Sequence, residues 1–304
     1  MPKKVLVTGA AGFLGRYVAR AASQKGSLVT GIGHGVLDQA DQAAWGISKW
    51  HEADVTLEAL MDLDTFDVIF HCAGGASVAQ SLADPLRDFR RTVDSTLAVL
   101  ELIRLRADGT KLVLTSSAGV YGKAGAAPFC VGSALHPVSP YGLHKKIAED
   151  LCRSYGAYFG VRTAIVRLFS VYGPELRKQL LWDACIRLSR GDSVFSGTGE
   201  ETRDWLHVAD ATELLLIAAQ HASAEGPTVN GGTGVSVTVR EIVETLGKCL
   251  PDVAAPRFSG EKRAGDPDHY QADIAGAVAW GWAPKRPLKA GLHAYTRWFE
   301  EQRK

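Results

Sequence analysis

The chain has 304 residues, a formal net charge of +1 and five cysteines, at positions 72, 130, 152, 185 and 249. A nearly neutral chain gives no reason to expect nucleic acid or an anionic membrane as a partner, and the length allows a large buried core. The cysteines lack C-x-x-C spacing, which argues against a disulfide framework and a zinc site. Because no signal peptide and no membrane-length apolar run is visible either, the sequence predicts a cytoplasmic protein without bound metal.

Strand-like and helical patterns alternate along the first half of the chain. Strands are predicted at residues 5–7, 28–32, 68–71, 112–116 and 162–168, and helices near 13–25, 86–106, 140–159 and, further on, 208–222. This alternation predicts an α/β fold with a Rossmann-type, doubly wound parallel sheet. After residue 173 the pattern becomes irregular, with glycine and proline clustered at 191–199, 225–234 and 251–267.

A glycine-rich turn joins the first strand to the first helix. It reads TGAAGFLG over residues 8–15, with G-x-x-G-x-x-G spacing. The missing side chains let the backbone approach a pyrophosphate, and the helix N-terminus offers free N–H groups. The turn therefore predicts a dinucleotide site formed by Gly9, Gly12, Phe13, Leu14 and Gly15.

The end of the second strand bears on the choice of cofactor. A NAD enzyme of this type usually has an acidic residue there for the ribose hydroxyls, but the chain has His34, and no carboxylate is nearer in sequence than Asp38. A histidine can accept a bond from a ribose hydroxyl or, when protonated, meet a 2′-phosphate. The sequence leaves NAD and NADP open and favours NADP.

Tyr141 and Lys145 lie one helical turn apart in the segment SPYGLHKK at residues 139–146, and Ser117 follows the apolar run at 112–115. One turn places the phenol and the ammonium on the same helix face. A neighbouring cation favours the phenolate and lowers the pKa of the tyrosine, so that it can exchange a proton with an alcohol or ketone. A serine hydroxyl at a strand end could hold the same oxygen. These residues predict a site that moves a proton while a hydride moves elsewhere.

The glycine turn and these three residues together resemble the short-chain dehydrogenase/reductase superfamily. The rest of the chain resembles its extended branch, the nucleotide-sugar epimerase/dehydratase/reductase family. Five segments, in chain order, are similar to blocks of that family: HCAGG at 71–75, TSSAGVYG at 115–122, RLFSVYGP at 167–174, TRDWLHVAD at 202–210, and RAGDP at 263–267 followed by AD at 272–273.

The resemblance implies a nucleotide-diphosphate sugar as substrate, NAD or NADP as cofactor, and a homodimer formed through the helices at 86–106 and 140–159. It also implies a smaller C-terminal substrate-binding lobe. The expected dinucleotide-binding domain is 1–172 with about 206–232 crossing back, and the expected lobe is 173–205 with 233–304.

Roles for further residues come from the same resemblance. Besides Tyr141 and Lys145, the residues implied to contact the cofactor are Asp54, Val55, Ala73 and Gly74. Those implied to contact the substrate are Ser77, Ser117, Ser170, Arg203 and Arg263, with the two arginines clamping the pyrophosphate. The chain departs from the family pattern where an asparagine is usual, at Thr92 and Ser170.

The residues after Ser117 separate the reactions of the family. Dehydratases usually carry an Asp-Glu pair there and decarboxylating members a Glu, whereas this chain has Ala118 and Gly119. Neither can act as an acid or base, so dehydration and decarboxylation are disfavoured.

Two reactions at C4 of a nucleotide-linked hexose remain after that exclusion. The favoured one is reduction of a 4-keto sugar such as an NDP-4-keto-6-deoxyhexose, because the acid that usually anchors a retained NAD is missing. The alternative is NAD-dependent 4-epimerisation of the UDP-glucose or UDP-GlcNAc type. A non-catalytic dinucleotide sensor is disfavoured because Ser117, Tyr141 and Lys145 are all present.

Overall fold

The computed structural model describes residues 3–106, 109–123, 128–251, 253–260 and 269–303. Its strands are β1 (Lys4–Thr8), β2 (Leu28–Gly33), β3 (Lys49–Glu52), β4 (Val68–His71), β5 (Lys111–Ser117), β6 (Arg162–Leu168), β7 (Ser170–Tyr172), β8 (Val194–Phe195), β9 (Thr202–His207), β10 (Thr228–Gly231), β11 (Ser236–Thr238) and β12 (Arg257–Phe258).

The α-helices are α1 (Phe13–Gln24), α2 (Gln39–Ala44), α3 (Leu57–Met61), α4 (Val78–Ala83), α5 (Pro85–Phe89), α6 (Ser95–Arg106), α7 (Pro140–Phe159), α8 (Gln179–Leu188), α9 (Val208–His221), α10 (Val239–Cys249), α11 (Ala275–Ala279) and α12 (Leu288–Glu301). A π-helical segment (Arg90–Asp94) joins α5 to α6, and a 3₁₀ turn (Ala118–Val120) follows β5.

The large sheet has the strand order β10-β6-β5-β4-β1-β2-β3, and every neighbouring pair is parallel. The chain starts at a central strand, winds outward to one edge and then returns to build the other half. This order confirms the predicted doubly wound α/β fold. The carboxyl ends of all these strands therefore meet at one edge, where such sheets bind ligands.

Alternate residues of the strands face opposite layers of helices. Val5 and Val7 pack in a core with α1 and α9, whereas Leu6 between them packs in a second core with α6 and α7. This period of two is what a strand buried on both faces requires. The predicted helices at 13–25, 140–159 and 208–222 are confirmed to within one residue at each end.

The predicted helix at 86–106 is interrupted by the π segment. At the start of α6 the hydroxyls of Ser95 and Thr96 donate to the carbonyl oxygens of Arg91 and Thr92 in the π segment, both at 2.6 Å. Hydroxyls that bond to carbonyls one turn back compete with the regular ladder. A π turn of this kind is a local widening that is frequent at functional sites.

After residue 173, the described part of the chain contains short strands and, besides α9, three longer helices. Strands β7, β9 and β11 form a three-stranded sheet, and β8 pairs with β12. Helices α8, α10 and α12 enclose a third apolar core, which includes Leu181, Leu246 and Phe299. This core lies apart from the two cores of the large sheet, which is the packing expected of a second lobe. Among the described residues, no helix is both long and apolar enough to cross a membrane.

Candidate active site

The glycine turn is closed so tightly that two of its glycines admit no side chain. Gly9 has φ +67°, and a Cβ there would lie 2.9 Å from the amide nitrogen of Ala73; a Cβ on Gly15 would overlap the carbonyl oxygen of Gly9. Gly12 precedes α1 without a side-chain cap, so the first N–H groups of the helix remain available to a ligand. The geometry fits the predicted pyrophosphate site.

A cleft of about 2040 Å³ runs along the carboxyl edge of the sheet. Every predicted site residue within the described ranges lines it: Gly9, Gly12, Phe13, Leu14, Gly15, His34, Asp54, Val55, Ala73, Gly74, Ser77, Ser117, Tyr141, Lys145, Ser170 and Arg203. Arg263, the second predicted arginine clamp, lies outside the described residues.

Ser117 and Tyr141 both lie beside Gly119. A Cβ placed on Gly119 would be 3.4 Å from the Ser117 Oγ and 3.3 Å from the Tyr141 Cε1. The Ser117 hydroxyl accepts a bond from the Gly119 amide at 3.1 Å, and the Tyr141 amide donates to the Ser81 Oγ at 3.0 Å. Strand β5 and helix α7 therefore present a hydroxyl and a phenol to the same part of the cleft.

Lys145 reaches the same region from one turn further along α7. It is 5% exposed, and its Nζ donates to the Thr115 carbonyl oxygen at 2.9 Å. Burial lowers the pKa of Lys145 to about 8. A strand carbonyl thus holds the ammonium in the wall of the cleft. A Cβ built on Gly74 would lie 3.2 Å from the Lys145 Nζ, so the ammonium also lies against this glycine.

The pKa of Tyr141 differs from the sequence-based expectation. Burial raises the pKa of this phenol, hydrogen bonding with Ser117 acts to lower it, and the charge of Asp88 raises it further. The net shift of this pKa is upward, whereas the sequence-based expectation was a lowering by Lys145. Removal from water outweighs the cation one turn away.

His71, from the HCAGG segment, is a structural residue at the end of β4. It is 1% exposed; its Nδ1 lies 2.7 Å from the Thr8 Oγ1 and its Nε2 lies 3.1 Å from the Thr96 Oγ1. Burial, helped by the charge of Lys145, lowers its pKa to about 3. A neutral imidazole therefore ties β4 to β1 and α6.

At the far end of the cleft, His34 and Asp54 meet each other. The His34 Nε2 is 2.8 Å from the Asp54 Oδ1, and the two side chains are 60% and 73% exposed. Asp38, the nearest acid in sequence, instead caps α2 by accepting from the Asp41 amide at 2.8 Å. The structure thus brings a carboxylate to the position where the sequence showed none.

The remaining predicted contacts have local roles as well. Ser77 caps α4, and Ser170 begins β7. Arg203 donates from Nη1 to the Thr202 carbonyl oxygen at 2.8 Å, and its guanidinium lies 6.0 Å from the Tyr270 ring centre. Thr92, which replaces the usual asparagine, accepts from the Gly75 amide at 2.8 Å, so it holds the loop that lines the cleft.

A buried ion pair behind the site was not predicted from the sequence. The Glu149 carboxylate accepts from the Ser116 hydroxyl at 2.6 Å and from the Arg167 guanidinium at 2.9 and 2.7 Å. Glu149 follows Lys145 by four residues, so helical spacing could have placed it on the same face. Arg167 also donates to the hydroxyl of Tyr121 at 3.0 Å, which links α7 to β6 and the turn after β5.

His144, which the helical spacing turns away from Tyr141 and Lys145, is also part of the unpredicted structure. Its Nδ1 lies 2.6 Å from the Asp88 Oδ2, and both side chains are buried. In the ranges that the structure covers, no group of three or more His, Cys, Asp or Glu side chains could hold a metal ion.

A family model described as the NAD dependent epimerase/dehydratase family matches residues 5–232. The chain belongs to this family. Membership confirms the predicted resemblance and the predicted class of NAD(P)-dependent enzyme.

Three similar proteins extend the match to the whole chain. A UDP-glucose 4-epimerase from Azospirillum brasilense is 29% identical over 316 residues, which cover 95% of this chain and 89% of that protein. The solved UDP-glucose 4-epimerase of Thermotoga maritima with UDP-glucose has a TM-score of 0.90 at 26% identity, with coverage of 99% and 100%. MoeE5, solved with UDP-glucose and NAD, has a TM-score of 0.87 at 26% identity, also with coverage of 99% and 100%.

Proposed function

We propose that this chain is an NAD-dependent 4-epimerase of a UDP-linked hexose. The observation that carries the proposal is the site around Gly119, where Ser117 and Tyr141 face one space and no acid or base stands at residues 118–119. Such a site supports alcohol–ketone interconversion without elimination. The similar proteins named as UDP-glucose 4-epimerases then favour epimerisation, and they do not support the 4-keto reductase that the sequence analysis favoured.

The proton steps fall to residues of this chain. Tyr141 takes the proton of the C4 hydroxyl and later returns it, while Ser117 donates a hydrogen bond to the same oxygen and fixes its position. Lys145, buried and bonded to Thr115, places a positive charge beneath the phenol. A bound NAD would supply the hydride acceptor and donor at C4.

The described residues fit a dinucleotide along the cleft, with the glycine turn at its pyrophosphate. At the ribose end, the Asp54 carboxylate beside His34 can accept bonds from ribose hydroxyls and would repel a 2′-phosphate. This geometry, together with the NAD bound in MoeE5, supports NAD rather than the NADP that the sequence favoured.

For the substrate, we retain the roles of the residues predicted to contact it. Arg203 and Arg263 would bind the pyrophosphate, and Ser77 and Ser170 would contact the sugar. Arg203, Ser77 and Ser170 line the same cleft as Tyr141, which supports these roles. The proposed substrate lobe is 173–205 with 233–304, and the separate core of α8, α10 and α12 supports that division.

A homodimer through α5, α6 and α7 also remains a proposal. Its support is a set of exposed leucines on these helices and on α4, which a partner would cover: Leu82, Leu86, Leu97, Leu105 and Leu143. Sedimentation of the purified protein tests it, and a monomer at micromolar concentration would contradict it.

The function is tested by the nucleotide that copurifies with the protein and by its reaction. We expect bound NAD, and conversion of UDP-galactose to UDP-glucose without added cofactor. Turnover that instead consumes NADPH in proportion to a 4-keto sugar nucleotide would replace the epimerase with the reductase. A protein that binds NAD without changing any UDP-hexose would favour the sensor.

A further inference from the structure

Asp88 and His144 form a buried pair that the proposed reaction does not use. Asp88 is on α5 and His144 is on α7, directly before Lys145; their side chains are 5% and 8% exposed. The Nδ1 of His144 lies 2.6 Å from the Asp88 Oδ2, and the ring of Phe89 packs edge-on against the imidazole at 5.3 Å. A carboxylate is costly to remove from water, so its position beside the catalytic helix calls for a role.

The pair and Lys145 meet two consecutive glycines of the loop after β4. A Cβ on Gly75 would overlap the Asp88 carboxylate, and a Cβ on Gly74 would lie 3.2 Å from the Lys145 Nζ. Because consecutive Cα atoms are only about 3.8 Å apart, the carboxylate and the ammonium lie against neighbouring points of one backbone segment. The absence of side chains at both positions leaves room for the two charges.

The other ionisable groups that face Lys145 do not balance its charge. Glu149 is on the same helix, but its carboxylate is engaged by the guanidiniums of Arg167 and Arg153. Burial raises the pKa of the Cys72 thiol to about 12 and lowers that of His71 to about 3, so both are neutral near pH 7. Among the residues that the structure describes, Asp88 is the other carboxylate whose charge acts on Lys145.

We propose that Asp88 is the buried counter-charge of Lys145 and that His144 is a positioning residue that orients the Asp88 carboxylate toward the loop at 74–75. The two residues set the charge beneath the proton-transfer site without touching the reacting atoms. The charge of the Asp88 carboxylate also acts on the Tyr141 phenol. The Tyr141 phenol is in addition hydrogen-bonded with the Ser117 hydroxyl and interacts with the phenol of Tyr270, which lines the same cleft. The role in catalysis rests on the proposed function of Tyr141 and Lys145.

The sign of the effect follows from charge. A carboxylate favours the protonated ammonium and disfavours the phenolate, so Asp88 raises the pKa of both Lys145 and Tyr141. Asp88→Asn removes the charge, and its amide oxygen can still accept from the imidazole. Both pKa values are expected to fall by roughly one unit, the size expected of a nearby charge in a buried site.

The experiment has one readout that needs no turnover and one that does. The first is the ultraviolet absorbance of the Tyr141 phenolate, obtained as the difference between a parent protein and its Tyr141→Phe derivative during a pH titration without substrate. The second is the pH profile of kcat. A kcat profile that depends on two ionising groups rises on one side and falls on the other. For Asp88→Asn we expect the phenolate titration and both sides of this profile to move about one pH unit lower.

His144 variants and a control complete the design. His144→Ala frees the carboxylate and should shift the titration in the same direction, while His144→Gln keeps a hydrogen-bond donor and should restore the parent curve. Asp150→Asn removes an acid from the same helix that is 51% exposed and paired with Lys146, and it should leave the titration unchanged. Asp88→Ser repeats the test if Asp88→Asn does not fold.

Two results would overturn the proposal. One is an Asp88→Asn protein whose melting temperature and kcat fall while the titration stays in place, since that is a structural role only. The other is an upward shift in His144→Gln, which would mean that an imidazolium cancels the charge of Asp88. Because the phenolate titration is independent of substrate, failure of the epimerase assignment would leave it readable.

Discussion

The two ends of the cleft are built in opposite ways. At the reaction end, Lys145 is 5% exposed and bonded to a strand carbonyl, and a buried ion pair lies behind it. At the proposed ribose end, His34 and Asp54 are 60% and 73% exposed and contact each other. Proton transfer needs groups whose pKa values the protein controls, and burial provides that control. Recognition of a ribose needs only a hydrogen-bonding partner at the right place, and a side chain exposed to water can provide one.

The largest effect that tests this contrast is expected from Tyr141→Phe. The variant keeps the ring that packs beside Gly119 but loses the proton that the reaction needs. We expect kcat to fall by about 10²–10⁴-fold, the contribution typical of a general acid–base, while the bound NAD per protein stays at the wild-type level. Loss of NAD together with activity would show instead that the phenol holds the cofactor.

The next largest effect is expected from Glu149→Gln, which leaves the Arg167 guanidinium without its carboxylate. Breaking a buried pair in this way costs about 3–5 kcal/mol of the free energy of unfolding. Denaturant unfolding measures it. The matched control is Asp150→Asn, one residue further along the helix, which is expected to change stability by no more than about 0.5 kcal/mol because that carboxylate is on the surface. Equal losses in the two variants would contradict the contrast between buried and exposed charges.

A third prediction concerns the titration of Tyr141 before any ligand binds. Because burial raises the pKa of this phenol, its phenolate should form only above the ordinary range of tyrosine, near pH 10. The positive nicotinamide ring of bound NAD should then move the titration to lower pH. The difference absorbance between wild type and Tyr141→Phe, with and without NAD, checks both statements. A phenolate already present at neutral pH in the NAD-free protein would contradict the first.

The smallest effect is expected at the exposed end. Asp54→Asn should change NAD affinity by less than about 1 kcal/mol, since contacts of exposed charges are weak, but it should improve binding of NADP relative to NAD by removing the repulsion of a 2′-phosphate. Titration calorimetry with both cofactors measures the ratio. Asp38→Asn serves as the control, because asparagine caps a helix as well as aspartate does, and it should leave the ratio unchanged.

The part of the site that could be predicted from the sequence is the part encoded in short stretches of chain. The glycine turn and the spacing of Tyr141 and Lys145 are local patterns, so they predicted the fold and the centre of the proposed site. The pairs Glu149–Arg167, Asp88–His144 and His34–Asp54 join different elements, and only the three-dimensional arrangement brings them together. The strands β7 and β11 have three residues each, so they show too few alternating residues to be predicted.

The π segment at Arg90–Asp94 changes the direction in which the side chains after it point, relative to those before it. A π turn takes one residue more than an α turn, so the side chains before and after it follow different angular series. Thr92 thereby faces Gly75, while Val99 and Leu102 of α6 stay in the core. Deleting one residue here would restore a regular helix. The chain could then keep either the hydrogen bond between Thr92 and Gly75 or the burial of Val99 and Leu102, but not both. The cleft and the core can therefore accept substitutions separately, but a change of length in this helix alters both at once.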